Sequence, residues 1–79
     1  MIEVIENLGE TYRKSIWKFV VKVNDIKVGV VVEEDYNDEE FKYYKFIDDK
    51  FSFEELDEGV LSDDDKEEIS DIFFSDING

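Results

Sequence analysis

Two runs of alternating apolar and polar residues, separated by two residues of turn chemistry, constrain this chain more than any other feature. From Ser15 to Val23, Ser15, Trp17, Phe19, Val21 and Val23 fall on one face, with Lys14, Ile16, Lys18, Val20 and Lys22 on the other. A period of two marks a half-buried strand, with Trp17 and Phe19 facing the core. The run Ile26 to Glu34 repeats the pattern, with Ile26, Val28, Val30 and Val32 on one face. Asn24-Asp25 lies between them, and both residue types tolerate positive φ, so a tight antiparallel hairpin is predicted.

The rest of the chain extends that hairpin. Ile2, Val4 and Glu6 predict a short strand, ended by a turn over Asn7-Leu8-Gly9-Glu10. The aromatic run Phe41-Lys42-Tyr43-Tyr44-Lys45-Phe46-Ile47 predicts a fourth strand. Between strands three and four, residues Glu33 to Glu40 carry six acids in eight positions and read as a loop or as the frayed ends of two strands. Ser52 followed by Glu55, with Phe51 and Leu56 placed as a hydrophobic staple, favours a short helix stopped by Gly59. The competing reading is a fifth strand, Lys50 to Glu54, paired back across Asp48-Asp49. Ser62 then caps a longer helix with Asp63, Asp64 and Asp65 in its first turn, where the positive helix end favours anions. Ile69, Ile72, Phe73 and Ile77 form its apolar stripe, and Phe74 falls outside it.

The expected fold is one α+β domain over residues 1–79. It has an antiparallel sheet of three to five strands with the C-terminal α-helix packed on one face. Its core is expected to include Trp17, Phe19, Val21, Val28, Val30, Ile69, Ile72 and Phe73. At 79 residues no second domain is expected, and 42% hydrophobic residues set the chain apart from sequences that stay disordered.

Composition removes most chemistry. There is no His and no Cys, so the commonest acid-base, nucleophilic and zinc-binding groups are missing, and no disulfide framework exists. The four glycines are isolated, which excludes a phosphate-binding Gly-rich loop. Asp35-Tyr36-Asn37-Asp38-Glu39-Glu40 superficially resembles a calcium loop but lacks the Gly at its sixth position, and Phe46 stands where its terminal Glu belongs. No enzymatic activity, cofactor or metal is expected. The opening Met1-Ile2-Glu3-Val4-Ile5-Glu6 lacks the pattern of a signal peptide, and no apolar stretch approaches about 18 residues. A cytoplasmic setting without membrane contact is expected, the host cytoplasm if the chain is phage-encoded.

Charge is divided unevenly. Residues 1–32 hold five Lys/Arg against four acids, and residues 33–79 hold nineteen acids against four Lys, in a chain of net charge −14. Lys14, Lys18, Lys22 and Lys27 make the one basic patch and read as solvent-facing strand positions paired with neighbouring acids. Counterion release cannot favour nucleic acid at this net charge, so direct binding is not expected. A basic protein surface is the expected partner. Phosphates along one DNA strand lie about 6 to 7 Å apart, carboxylates at i and i+2 of a β-strand about 6.6 Å, and those at i and i+4 of a helix about 6 Å. On that spacing Asp64, Glu68 and Asp71, with Glu67 beside them, form a row that Glu33, Asp35, Asp38 and Glu40 would extend. Glu39, Asp48 and Asp49 complete the acidic set, and Tyr36 is a candidate aromatic anchor, as are Tyr43 and Tyr44. The requirement is geometric: folding must bring these clusters into one continuous row, and clusters on opposite sides would remove most of the support for mimicry. The competing explanation of the acids is simple solubility.

In size, acidity, aromatic content and lack of catalytic residues the chain resembles the small inhibitors by which phages and mobile elements block host defence or DNA-processing enzymes. These are the anti-CRISPR, anti-restriction and uracil-glycosylase inhibitor proteins. The resemblance covers the whole chain and rests on no motif. It implies a DNA mimic that occupies the basic cleft of a nucleic-acid-binding protein or nuclease. The alternatives are the immunity protein of a toxin nuclease, anchored by exposed aromatics, and an acidic protein-protein adaptor with no inhibitory role.

Overall fold

Turns that admit positive φ set the sheet. Asn24 and Asp25 take φ of 48° and 68°, and Asp48 and Asp49 take 53° and 62°, the mirror-image turn geometry whose twist matches that of the strands it joins. The computed structural model describes residues 2–10, 15–36 and 38–77. Within them run β1 (Ile2–Glu10), β2 (Ile16–Val23), β3 (Ile26–Asp35), β4 (Asp38–Ile47) and β5 (Lys50–Glu55), followed by α1 (Asp63–Ile72) and a π-wound continuation, Phe73–Ile77. The five strands lie in chain order and pair antiparallel throughout. Lys14, expected on the outer strand face, and Asn37, in the acidic segment, lie outside the described residues.

The β2–β3 register is the one that alternation predicts, with Trp17, Phe19 and Val21 opposite Val32, Val30 and Val28. Phe41 and Tyr43 of β4 continue those rows. Helix α1 covers this face. Ser62 caps it through a reciprocal pair: its hydroxyl accepts the Asp65 N–H, and the Asp65 carboxylate accepts the Ser62 N–H, both at 3.1 Å. Ile69, Phe73 and Ile77 are buried at intervals of four. Phe73 is the centre of the core, with ring centroids 5.8 Å from Trp17, 6.2 Å from Phe19 and 5.5 Å from Phe41. Its burial contributes about 1.5–3 kcal/mol, and each edge-on ring contact adds about 0.5–1.5 kcal/mol.

Three local expectations are corrected. Residues 50–55 form β5, not a helix: the Asp48-Asp49 turn directs the chain back along β4, and Phe51 packs edge-on against Phe46 at 5.5 Å. The Phe51 ring also lies over Gly29, where a Cβ would fall within 2.4 Å of it. This burial on the second face of the sheet outweighs the local capping signal, and the Ser52 hydroxyl accepts the Glu54 N–H instead. The turn expected at Asn7–Glu10 is a bulge within β1. The Asn7 side chain accepts the Gly9 N–H at 2.8 Å, Gly9 takes φ of 74°, and pairing resumes at Gly9–Lys18. The segment Glu33 to Glu40 is paired strand up to Asp35 and Asp38, neither a loop nor frayed ends. No helix among the described residues is long and apolar enough to cross a membrane.

Candidate functional site

The end of the β3–β4 hairpin opposes like charges three times in succession. Glu33 faces Glu40, Glu34 faces Glu39, and Asp35 faces Asp38. Cβ atoms of directly opposed residues lie about 4.5–5.5 Å apart, and like charges in that position destabilise a sheet. Alternation places Glu33, Asp35, Asp38 and Glu40 on the outer face, away from α1, and Glu34 and Glu39 on the helix-bearing face. At the turn, Tyr36 takes φ of 54° and is 99% exposed.

Partial compensation comes from β2 and β4. The Trp17 indole N–H donates to Glu34 Oε1 at 2.5 Å, and the Glu34 N–H donates to the Ser15 carbonyl at 2.7 Å. Lys42 Nζ stands 3.6 Å from Glu33, and its pKa is raised above the ordinary lysine value, first by the charge of Glu33 and then by that of Glu40. Asp35, Asp38 and Glu39 have no cation within 4 Å among the described residues. The six acids share one depression with Ser15 and Ile16. Among the described residues no three carboxylates converge closely enough to hold a metal ion.

The other predicted acids lie elsewhere. Asp48 and Asp49 form the β4–β5 turn, at the opposite end of a ten-residue strand, about 30 Å from the hairpin end at the usual rise per residue. Asp49 is paired there with Lys27 at 3.3 Å. On α1, Asp64, Glu67 and Asp71 are exposed, but Glu68 Oε2 accepts the Ile2 N–H at 2.8 Å and ties the helix to the start of β1. Asp48 and Asp49 are therefore far from the dense acidic hairpin end, and no single row runs through all three clusters. The two carboxylate rows of the hairpin are too close together to copy the two strands of a duplex. They present one thick line of negative charge.

Of the aromatic candidates, Tyr43 packs against the core and is covered by the Lys66 ammonium at 5.9 Å from its ring centroid. Its burial pushes the phenol pKa up. Tyr44 lies on the opposite sheet face, and Tyr36 alone of the three stands free at the turn. The basic strand positions are engaged: Lys22 with Asp25 at 3.8 Å, Lys27 with Asp49, and Lys18 over the Phe51 ring at 5.9 Å. Phe74, off the apolar stripe as expected, is 46% exposed and lies edge-on to Phe41 at 6.4 Å. No protein-family model matches the chain, and neither do curated proteins or solved structures.

Proposed function

We propose that this protein inhibits a nucleic-acid-binding protein or nuclease, a host defence enzyme such as a CRISPR effector or restriction enzyme, by placing the β3–β4 hairpin end in its basic cleft. The observation that carries this reading is the run of three acid–acid pairs on one two-stranded tip. A domain this small has little stability to spare. Solubility alone would be served by acids scattered over the surface, without opposing one another across a ladder. Carboxylates two residues apart along each strand match the repeat of phosphates along one nucleic-acid strand, and Arg on the partner would bind them bidentately. The protein acts by occupation, without chemistry or cofactor, in the cytoplasm of the host.

A second reading has one specific observation in its favour. Tyr36 exposes nearly its whole side chain at the centre of the acidic tip, the position an aromatic anchor takes in an immunity-type interface.

Capture from host lysate on the immobilised protein tests both. The expected catch is a nucleic-acid-binding protein released by excess duplex DNA and by rising salt, and lost with the triple variant Asp35→Lys, Asp38→Lys, Glu40→Lys. Retention of the catch in excess DNA would overturn cleft occupation. A larger loss from Tyr36→Ala than from any single acid would favour the aromatic-anchored interface.

A further inference from the structure

Strand β4 is paired with β3 from Asp38 to Lys45, but with β5 only between Tyr44 and Ile47. The Leu56 N–H donates to the Tyr43 carbonyl at 2.8 Å, and after Glu55 the chain leaves the sheet. Backbone groups alternate sides along a strand, so that bond fixes the direction of those upstream. The N–H and C=O of Phe41 and Glu39 point away from β3, into the lane that β5 has vacated. Among the described residues no backbone partner fills that lane. A groove of about 330 Å³ runs beside it, with Phe41, Tyr43, Leu61, Asp57, Glu58 and Lys66 among its lining residues.

The side chains along this open edge indicate what fits it. On the helix-bearing face stand Glu39 and Phe41, with the half-exposed Phe74 beside Phe41. On the outer face stand Asp38 and Glu40. A second copy of the chain is disfavoured, because each register that uses both outward-facing residues either opposes acids to acids or leaves carboxylates on the edge without a cation, a device that protects sheet edges from self-association. A segment that alternates apolar and basic side chains would set its apolar side chains beside Phe41 and Phe74 and its basic ones beside Asp38 and Glu40 on the outer face. Of the nearby cations, Lys42 is paired with Glu33 and Lys45 with Glu54 and Asp57, while Lys66, at the groove's far end, lies over the Tyr43 ring.

We infer that the free half of β4 receives an extended, alternately basic and apolar segment of the protein partner as an added strand, with backbone hydrogen bonds to Glu39 and Phe41. This rests on the hairpin end being the docking surface and adds the mode of docking.

The probe is a synthetic octapeptide of alternating Lys and Val, compared with the same peptide methylated on every backbone nitrogen, which keeps the charge and removes the donors. Binding to isotope-labelled protein is followed by NMR. The expected result is that the unmodified peptide shifts the Glu39 and Phe41 amides and slows their exchange with solvent, and that the methylated one binds at least tenfold more weakly. On the protein side, Glu39→Pro removes one outward N–H while leaving the bonds to β3 intact, as an edge position allows, and Glu39→Gln removes only the charge. Glu39→Pro should bind the peptide about tenfold more weakly than Glu39→Gln, with amide shifts outside β4 unchanged in both. Equal binding of the two peptides, equal binding by the two variants, or no binding at all would overturn the added strand. If DNA-sensitive capture from lysate survives Glu39→Pro, the strand inference fails and the inhibitor reading stands. If the peptide binds at the edge but DNA never competes with capture, the inhibitor reading fails and the edge stands.

Discussion

The two ends of the sheet handle their acids in opposite ways. At the end formed by the β2–β3 and β4–β5 turns, two of the three turn acids face a cation: Asp25 has Lys22 at 3.8 Å and Asp49 has Lys27 at 3.3 Å. At the β3–β4 end acids oppose acids, and among the described residues one lysine, Lys42, is paired with the group. Both ends hang on the same strands and the same core, so fold alone does not demand the difference. Acidity as such is therefore not the distinguishing property of this molecule. What distinguishes it is that acids are mostly paired with lysines at one end and opposed to one another at the other.

The comparison can be broken most severely through the core the two ends share. Phe73→Ala removes the ring that touches Trp17, Phe19 and Phe41 and should lower stability by about 3–5 kcal/mol. Urea titration should show both ends unfolding together. A surviving β2–β3 hairpin signal would mean that the ends are separate units.

A smaller effect separates the sheet faces. Gly29→Ala places a methyl group where the Phe51 ring lies, so β5 must shift, at a cost of about 1–3 kcal/mol. The β5 amides should gain solvent exchange while those of the β3–β4 end stay protected. An unchanged unfolding midpoint would show that Phe51 moves freely and that β5 is weakly held.

Smaller again, and opposite in sign at the two ends, are single charge reversals. Asp38→Lys turns the Asp35–Asp38 repulsion into attraction and should stabilise by about 0.5–1 kcal/mol at low salt, a rise of a few degrees in Tm. Asp49→Lys breaks a pair with Lys27 and adds a like charge, and should destabilise by up to about 1 kcal/mol. Both differences should shrink in 1 M NaCl, where screening is nearly complete. Equal signs at the two ends would remove the contrast.

Alkaline pH gives the smallest and broadest test. The pKa values of Lys42 and Lys45 are raised above the ordinary 10.5, Lys42 chiefly by the charge of Glu33 and Lys45 chiefly by its hydrogen bond to Glu54. Burial raises Tyr43 above 10.0. In each case the folded state favours the protonated form, so the associated stability is complete below the unfolded values and is lost as pH rises through the folded ones. The unfolding midpoint should hold near pH 9 and fall above about pH 10, and Lys42→Met with Lys45→Met should flatten the decline.

Alternation and turn chemistry made the centre of this fold legible. Trp17, Phe19 and Val21 carry a period that only a two-sided strand satisfies, and Asn24-Asp25 has the chemistry of its turn. The longer helix was legible for similar reasons, a capping serine followed by a stripe at Ile69, Phe73 and Ile77. Residues 50–55 were not, because the Ser52 and Glu55 capping pattern is local. What outweighs it, Phe51 settling over Gly29, joins residues 22 positions apart in the chain. The β1 bulges were hidden for a like reason, since a bulge depends on the partner strand.

At the site, the signal was present in the sequence in another form. Three acids stand on each side of Tyr36-Asn37, a symmetry that a two-residue turn converts into three acid–acid pairs. A single row through all three clusters does not form, because Asp48-Asp49 turns at the far end of β4. The open half of β4 leaves no mark in composition or period at all. It exists because β5 ends one residue before Leu56 and the chain then leaves the sheet.

The most direct measurement compares two triple variants that change net charge by the same amount, one at each end of the sheet. Asp35→Lys, Asp38→Lys, Glu40→Lys acts on the hairpin end, and Asp25→Lys, Asp48→Lys, Asp49→Lys acts on the turn end. Each is assayed for displacing DNA from the basic protein that the parent captures. The hairpin variant should lose displacement by at least about 100-fold, equivalent to about 2.8 kcal/mol of binding, and the turn variant should stay within about threefold of the parent. Equal losses in the two variants would show that overall charge, and not the paired acids of β3 and β4, does the work.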